Sequence, residues 1–546
     1  MQVNKIIILG GGSAGWMAAS ALINDFPDKD ITLIEASDIP TIGVGESTLS
    51  EIHKFIAPLG IAEEDWMPAC DATYKLSVDF TNWDGKGTRV HYPFGKYQRY
   101  IEEHSPLVRK EQWFERKTVL NSPVTEWAEF LHDHIELLDN SKYTDNSDGY
   151  FKNLTLNRTG LNLDKAYHFN ATLFGQWLKT NFCMPKGVKH VVGTCNNVVQ
   201  DEHGYVDYIN LEGDDKNYHA DLFIDCSGFH SILLEKVYNV PFHSFKDALL
   251  NDKALATTIP YTDKNIEMEV TTNATTMNAG WCWNIPLYNR IGTGYVYSSQ
   301  FLTDDEAEKE FREYLLKHRK PFANLEPQRD FLKINIRSGV REEPWIKNVV
   351  AVGLSSGFIE PLESTGLVLT HKNIQNIVKV LKLGHNGKQV TGFLRQSFNT
   401  WVHKDMSLVG FIILHYAFAQ RNDTEYWRYV TEEVKYDGSI FKSCEGIDWI
   451  KSAVLAPKRF LEKGFSVFDG NEGISTIMAG FDFNPLYLED LRESADNANI
   501  DWDSFVSFLK KMDNWLIDKR NRNKDYVNTL PSHYEWLKQH IYNGRE

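Results

Sequence analysis

Cysteine is sparse in this chain of 546 residues. The six cysteines (Cys70, Cys183, Cys195, Cys226, Cys282 and Cys444) are scattered, with no Cys-x-x-Cys pair and no metal-ligand spacing. That excludes a zinc-ribbon or disulfide-framework reading and leaves reduced thiols, with no metal site expected. Long apolar runs are also missing, so no segment is expected to span a bilayer, and nothing at the N-terminus reads as a signal peptide. An excess of positive charge is absent. Lys and Arg number 58 against 74 Asp and Glu, a formal charge of −16, which disfavours nucleic acid and anionic membranes as partners. Internal repeats and low-complexity tracts are lacking as well. What is abundant is aromatic surface, with 15 Trp, 24 Tyr and 31 Phe, more than a plain scaffold needs and suited to aromatic-lined pockets. The length predicts two or three domains.

The most informative stretch is Ile6-Ile7-Ile8-Leu9 running into Gly10, Gly12 and Gly15 and then a helix-compatible segment from Met17 to Leu22. This is the strand–turn–helix context of the dinucleotide fingerprint. Gly10 permits the tight turn, Gly12 lets the backbone approach a pyrophosphate, and Gly15 allows close helix packing, while the amides of Ser13 and Ala14 face the phosphates. A second strand, Ile31 to Ile34, ends in Glu35, placed to bind a ribose hydroxyl. That favours FAD or NAD over NADP. Asp221 to Gly228 and Val349 to Gly357 are two later strand–turn segments, and elements so far apart in sequence suit FAD better than a nicotinamide. The fold class expected is α/β, a Rossmann-like FAD module of the flavin monooxygenase type. It would occupy residues 1–380, with substrate-facing insertions at about 90–165, and residues 381–546 would form a mainly helical substrate-binding cap.

Other segments admit two readings. Gly43-Val44-Gly45-Glu46 is a Gly-rich loop that could pass close to a ligand or simply cross the surface. Leu76, Val78 and Phe80 alternate with Lys75, Ser77 and Asp79, which predicts a half-buried strand with Lys75 solvated on its polar face. Glu360-Pro361-Leu362-Glu363 opens a helix, where carboxylates often serve as dipole partners. The following amides of Thr365 and Gly366 would suit a small anion. Trp281 and Trp283 project to one side of a strand, as a core pair or a cavity wall.

Taken together, these segments resemble the flavin-dependent halogenases of the tryptophan halogenase family. The resemblance rests on the Gly-x-Gly-x-x-Gly followed by Trp16, the Gly43–Glu46 loop, Tyr74-Lys75-Leu76 and Tyr167-His168-Phe169. It continues through Asp225-Cys226-Ser227-Gly228-Phe229, Trp-x-Trp-x-Ile-Pro at 281–286 and Pro361-Leu362-Glu363-Ser364-Thr365-Gly366. Asp423 to Trp427 and Leu530-Pro531-Ser532-His533 add to it. The resemblance implies that FADH2 from a separate flavin reductase, with O2 and halide, yields hypohalous acid. Lys75 and Glu363 would relay it to a small aromatic substrate. It places FAD against Gly10, Gly12, Ser13, Ala14, Gly15, Glu35, Gly43, Val44, Gly45, Glu46, Gly353 and Leu367. Halide would lie at Thr365 and Gly366, with Trp281 and Trp283 separating flavin from substrate.

The match breaks at the substrate. Tryptophan-specific members flank the ring with His-x-Phe, whereas this chain has Tyr92-Pro93-Phe94. The paired tyrosines and Phe-Trp that anchor the amino acid have no counterpart between Arg459 and Gly480, where only Phe468-Asp469 is similar. The substrate expected is an indole-like or other electron-rich aromatic rather than free tryptophan. A flavin-dependent aromatic hydroxylase, or a non-catalytic FAD-binding redox or partner protein, are the alternatives. A cytoplasmic homo-oligomer completes the expectation.

Overall fold

The computed structural model describes residues 1–37, 45–95, 110–151, 165–318, 330–434 and 472–544. The strand Lys5–Leu9 lies inside a six-stranded sheet, between Leu222–Asp225 on one side and Asp30–Glu35 on the other. Val349–Ala351 and Lys189–Val192 extend it in parallel, and Trp345–Ile346 adds an antiparallel edge. Its unbroken apolar run reflects cover on both faces. Ile6 and Ile8 join the core with the helix Ser13–Asp25, while Ile7 and Leu9 pack into a second cluster with Val206, Ile209 and Leu233. The α/β expectation and the three predicted strand–turn units therefore hold. Glu212 and Gly213 form a tight turn into the strand Asp214–His219.

A seven-stranded sheet runs in the order Leu332–Asn335, Lys253–Ile259, Ile291–Tyr297, Gly280–Pro286, Thr271–Met277, Ser77–Thr81, Arg89–Pro93. The Trp-x-Trp segment is its central strand. Trp283 stands between Gly294 and Ala274 on the neighbouring strands, so small residues make room for the indole. A Cβ at Gly294 would lie 2.1 Å from that ring and 2.5 Å from the Leu255 carbonyl oxygen.

The alternation around Lys75 is misleading, and the expected half-buried strand is not formed. Thr73–Lys75 belongs to a separate three-stranded sheet with Glu46–Ser47 and Ala166–Phe169, whereas Ser77–Thr81 belongs to the seven-stranded one. The chain changes sheets at Leu76, whose amide donates to Val270 and whose carbonyl accepts from Phe94. Lys75, Ser77 and Asp79 are all fully buried. Asp79 is tolerated because Arg89 and His91 pair with it. Burial alone would raise its pKa, but those two cations hold it well below the usual carboxylate range.

Helices dominate from Thr365 onward, including Thr365–Leu383, Gly392–Met406, Val409–Phe418 and Trp502–Val527. They are not packed apart from the sheets, because one buried apolar cluster runs from Val3 to Tyr542. Among the described residues no helix is long and apolar enough to cross a membrane.

Gly294→Ala is expected to destabilise the protein by about 1–3 kcal/mol, because neither the indole nor the strand backbone can withdraw freely. Urea unfolding with tryptophan fluorescence checks this; an unchanged midpoint and spectrum would show that the strand has slack.

Candidate active site

At the dinucleotide end, the glycines divide into two kinds. Cβ atoms at Gly10, Gly11 and Gly15 would collide with Cys226 O (2.3 Å), Glu35 Oε2 (1.6 Å) and Gly10 O (1.9 Å), so the protein's own packing requires those three. A Cβ at Gly12 would meet nothing within 4 Å. Glycine there leaves open space beside the start of the Ser13–Asp25 helix, which has no side-chain cap. A cradle of this kind fits a pyrophosphate against the amides of Ser13 and Ala14. Glu35 ends its strand with Oε2 against Gly11 and Oε1 held by Lys179 Nζ (2.8 Å) and His190 Nε2 (2.7 Å). Neither partner carries a motif, and sequence reasoning missed both. Gly353, at a φ of +68°, brings the third strand–turn to Ala14, and Leu367 lies on the first turn of the Thr365 helix. Gly43 and Val44 lie outside the described residues. Gly45 leads into the strand Glu46–Ser47, and burial pushes the Glu46 carboxyl up to about 7.

Lys75 is not a solvated lysine. Its amine is sealed from water and donates to the Thr48 carbonyl (3.0 Å) and Ser364 Oγ (2.9 Å), with the Phe94 ring centroid 5.2 Å away. Burial pushes its pKa down to about 7, and the carboxylates of Glu363 and Asp79 only partly oppose this. Ser364 connects this amine to the start of the Thr365–Leu383 helix. It sits in the left-handed region at φ 58°, and its hydroxyl is spent on Lys75 and Ser47 rather than on capping the helix. The amides of Thr365 and Gly366 are thereby left without a side-chain cap, the condition for an anion at a helix start.

Glu363, one residue earlier, is nearly as buried as Lys75, and its Oε1 meets His415 Nε2 at 2.8 Å. Glu360, on the same turn, accepts from Trp281 Nε1, Tyr416 OH and Asn251 Nδ2. Burial raises its pKa, and those three donors only partly offset the shift. Thus the adjacent residues His415 and Tyr416 of the helix Val409–Phe418 grip both carboxylates of one turn. Glu360 in turn fixes Trp281, whose ring centroid is 6.3 Å from that of Trp283. Sequence reasoning missed His415, Tyr416, Ser364 and the Glu360 contact; the His-Tyr pair inside an apolar helix was the available signal.

A cavity of about 360 Å³ lies beside this centre. Glu363 reaches its wall, as do Tyr92, Pro93 and Phe94, with Phe411 and His132 among the other lining residues. The sequence-predicted pocket residues 92–94 are therefore brought to the predicted carboxylate. Phe468 lies outside the described residues. No cluster of metal ligands occurs among the described residues.

The depressed pKa of Lys75 has a consequence for stability. Between about pH 7 and the ordinary lysine value near 10.5, the unfolded chain binds a proton that the native chain does not. Stability from this site therefore rises with pH across that window. Relative to Lys75→Met, the wild type is expected to gain about 1.4 kcal/mol per pH unit there, read from urea unfolding. A pH-independent difference would show that the amine is not desolvated.

The family model described as tryptophan halogenase matches residues 5–496. Tryptophan 7-halogenase RebH of Lentzea aerocolonigenes is 32% identical over 98% of this chain and 99% of its own length. Tryptophan 6-halogenase SttH of Streptomyces toxytricini is 37% identical over 78% of this chain and 80% of its own, and its crystal structure superposes with a TM-score of 0.79, covering 98% of this chain and 99% of that one. The apo structure of VirX1 is 36% identical with a TM-score of 0.89, covering the whole of both chains. The dinucleotide cradle, the buried lysine beside a carboxylate and this agreement along the chain converge: the protein belongs to the tryptophan halogenase family and is a flavin-dependent halogenase.

Proposed function

We propose that the enzyme halogenates an electron-rich, indole-like aromatic other than free tryptophan, with Lys75 holding the oxidised halide and Glu363 taking the ring proton. The observation that carries this reading is the fully buried Lys75 amine, with a pKa near 7, hydrogen-bonded to Ser364, the residue that follows the cavity-wall Glu363. The chemistry supplied by bound reduced flavin, received from a separate reductase, is the oxidation of halide by O2 to hypohalous acid. Gly10, Gly12, Ser13, Ala14, Gly15, Glu35, Gly45, Glu46, Gly353 and Leu367 would hold it, together with Gly43 and Val44. The amides of Thr365 and Gly366 would bind halide. Trp281 and Trp283 would keep the aromatic substrate from the flavin.

An amine that titrates near neutrality suits both halves of its task. As an ammonium it hydrogen-bonds hypohalous acid and gives a proton to the departing oxygen; as an amine it takes the proton back. Glu363, on the cavity wall, would accept the proton that a bound ring sheds. Phe94 and Tyr92 present aromatic walls, and the family resemblance puts Tyr92 where tryptophan-specific members have a histidine. That substitution supports a substrate other than free tryptophan.

The test supplies the purified protein with FAD, a flavin reductase, NADH, O2 and chloride, bromide or iodide, against indoles, phenols and L-tryptophan. Halogenated indoles or phenols are expected, with L-tryptophan a poor substrate. L-Tryptophan as the best substrate would overturn the substrate assignment, and hydroxylated products without halogenated ones would overturn the reaction. Lys75→Ala is expected to lower halogenation by at least about 10³-fold while FAD still binds. Retained activity in that variant would remove Lys75 from the mechanism.

A further inference from the structure

The contact between His415 and Glu363 has a proton count that geometry fixes. His415 Nδ1 lies 2.9 Å from the Phe411 carbonyl oxygen, which only accepts, so Nδ1 carries hydrogen. His415 Nε2 lies 2.8 Å from Glu363 Oε1, and two bare acceptors do not approach so closely, so one proton lies between them. The pair is either imidazolium with carboxylate or imidazole with carboxylic acid. His415 is fully buried among the rings of Phe80, Trp83, Phe411 and Phe481, with centroids 4.9 to 6.2 Å away. Several described charged or titratable groups lie around the pair, and Glu51 and His132 line the same cavity as Glu363. Glu360 comes from the same turn as Glu363, Tyr416 from the same helix as His415, and Lys75 from across the site. The strand Ser77–Thr81 and residue 481 contribute only the rings of Phe80 and Phe481.

We propose that His415 is a positioning residue that fixes Glu363 through Oε1, turns Oε2 to the substrate cavity and lets that oxygen take a proton whichever partner holds the shared one. The inference rests on the reading of Glu363 as the acceptor of the ring proton. In the transfer, a ring electron pair forms the carbon–halogen bond. The halogen–oxygen bond breaks with its electrons on oxygen, which takes a proton from the Lys75 ammonium and leaves as water. The ring C–H bond then breaks, its electron pair returns to the ring, and the proton goes to Glu363 Oε2 while the shared proton settles on His415 Nε2. Return of one proton from Glu363 to Lys75 restores both groups. Hypohalous acid and arene become haloarene and water, with no other reactant.

His415→Gln keeps a donor for Oε1 but cannot act as the proton's second home. Without that second site, Oε2 must accept the ring proton with no partner to take up the shared one, so loss of the ring proton slows. With indole as the probe, kcat of the variant is expected to fall about 10²-fold, with KM little changed. Ring-deuterated indole should reveal a primary isotope effect in the variant that wild type lacks. A wild-type-like rate, or a slowed rate with no isotope effect, would overturn the role of His415. Glu363→Gln separates the two layers: if it halogenates normally, the reading of Glu363 itself fails. If it is inactive while His415→Gln behaves as wild type, only this inference fails. A measurement free of substrate is ¹⁵N NMR of histidine-labelled protein, with the His415 signals identified by their loss in His415→Gln. Nδ1 is expected to carry the hydrogen that points to the Phe411 carbonyl; a bare Nδ1 would overturn the proposal.

Discussion

Removing the Lys75 amine from water is the constraint on which the rest of the site depends. An ammonium in that position is costly, and two oxygens, from the Thr48 carbonyl and the Ser364 hydroxyl, only partly replace its hydration. The result is a group that sits near neutrality, able to give and regain a proton. Ser364 must adopt a left-handed conformation to reach it, and because its hydroxyl is thereby occupied, the following helix start has no side-chain cap. The amine, the anion-compatible amides and the carboxylate of Glu363 are therefore one local solution of the backbone at 363–366.

The aromatic abundance has a related purpose. His415 and Tyr416, adjacent on one helix, hold Glu363 and Glu360 respectively, and Glu360 holds Trp281. Rings close around this polar thread, so its charges act in a medium of low polarity where hydrogen bonds are strong and water is excluded. The Trp strand keeps its position because Gly294 gives up its own side chain to the Trp283 indole. Sheet and helix thus meet at the carboxylates, which is why the apolar core is continuous from one end of the chain to the other.

Much of the fold was legible because its signals are local. The apolar run before Gly10, the spacing to Glu35 and the strand ends near Asp225 and Ala351 each depend on a few consecutive residues. Lys75 was the opposite case. Its alternation with Leu76 and Val78 read as a solvated face, because the change of sheet at Leu76 is set by hydrogen bonds to Val270 and Phe94, far away in the chain. His415 was invisible for the same reason. A histidine in an apolar helix looks like a satisfied core residue until its partner, 52 positions earlier, is placed against it. Lys75 and Glu363 themselves were singled out through family resemblance and not through spacing.

The state of the Lys75 amine is the most direct measure of this account. NMR of protein carrying ¹³C at lysine Cε would follow each side chain through its titration, with the Lys75 signal identified by its loss in Lys75→Arg. A midpoint near pH 7 for that one resonance is the expected result. A Lys75 resonance that titrates near pH 10.5, like an ordinary solvated lysine, would contradict the account.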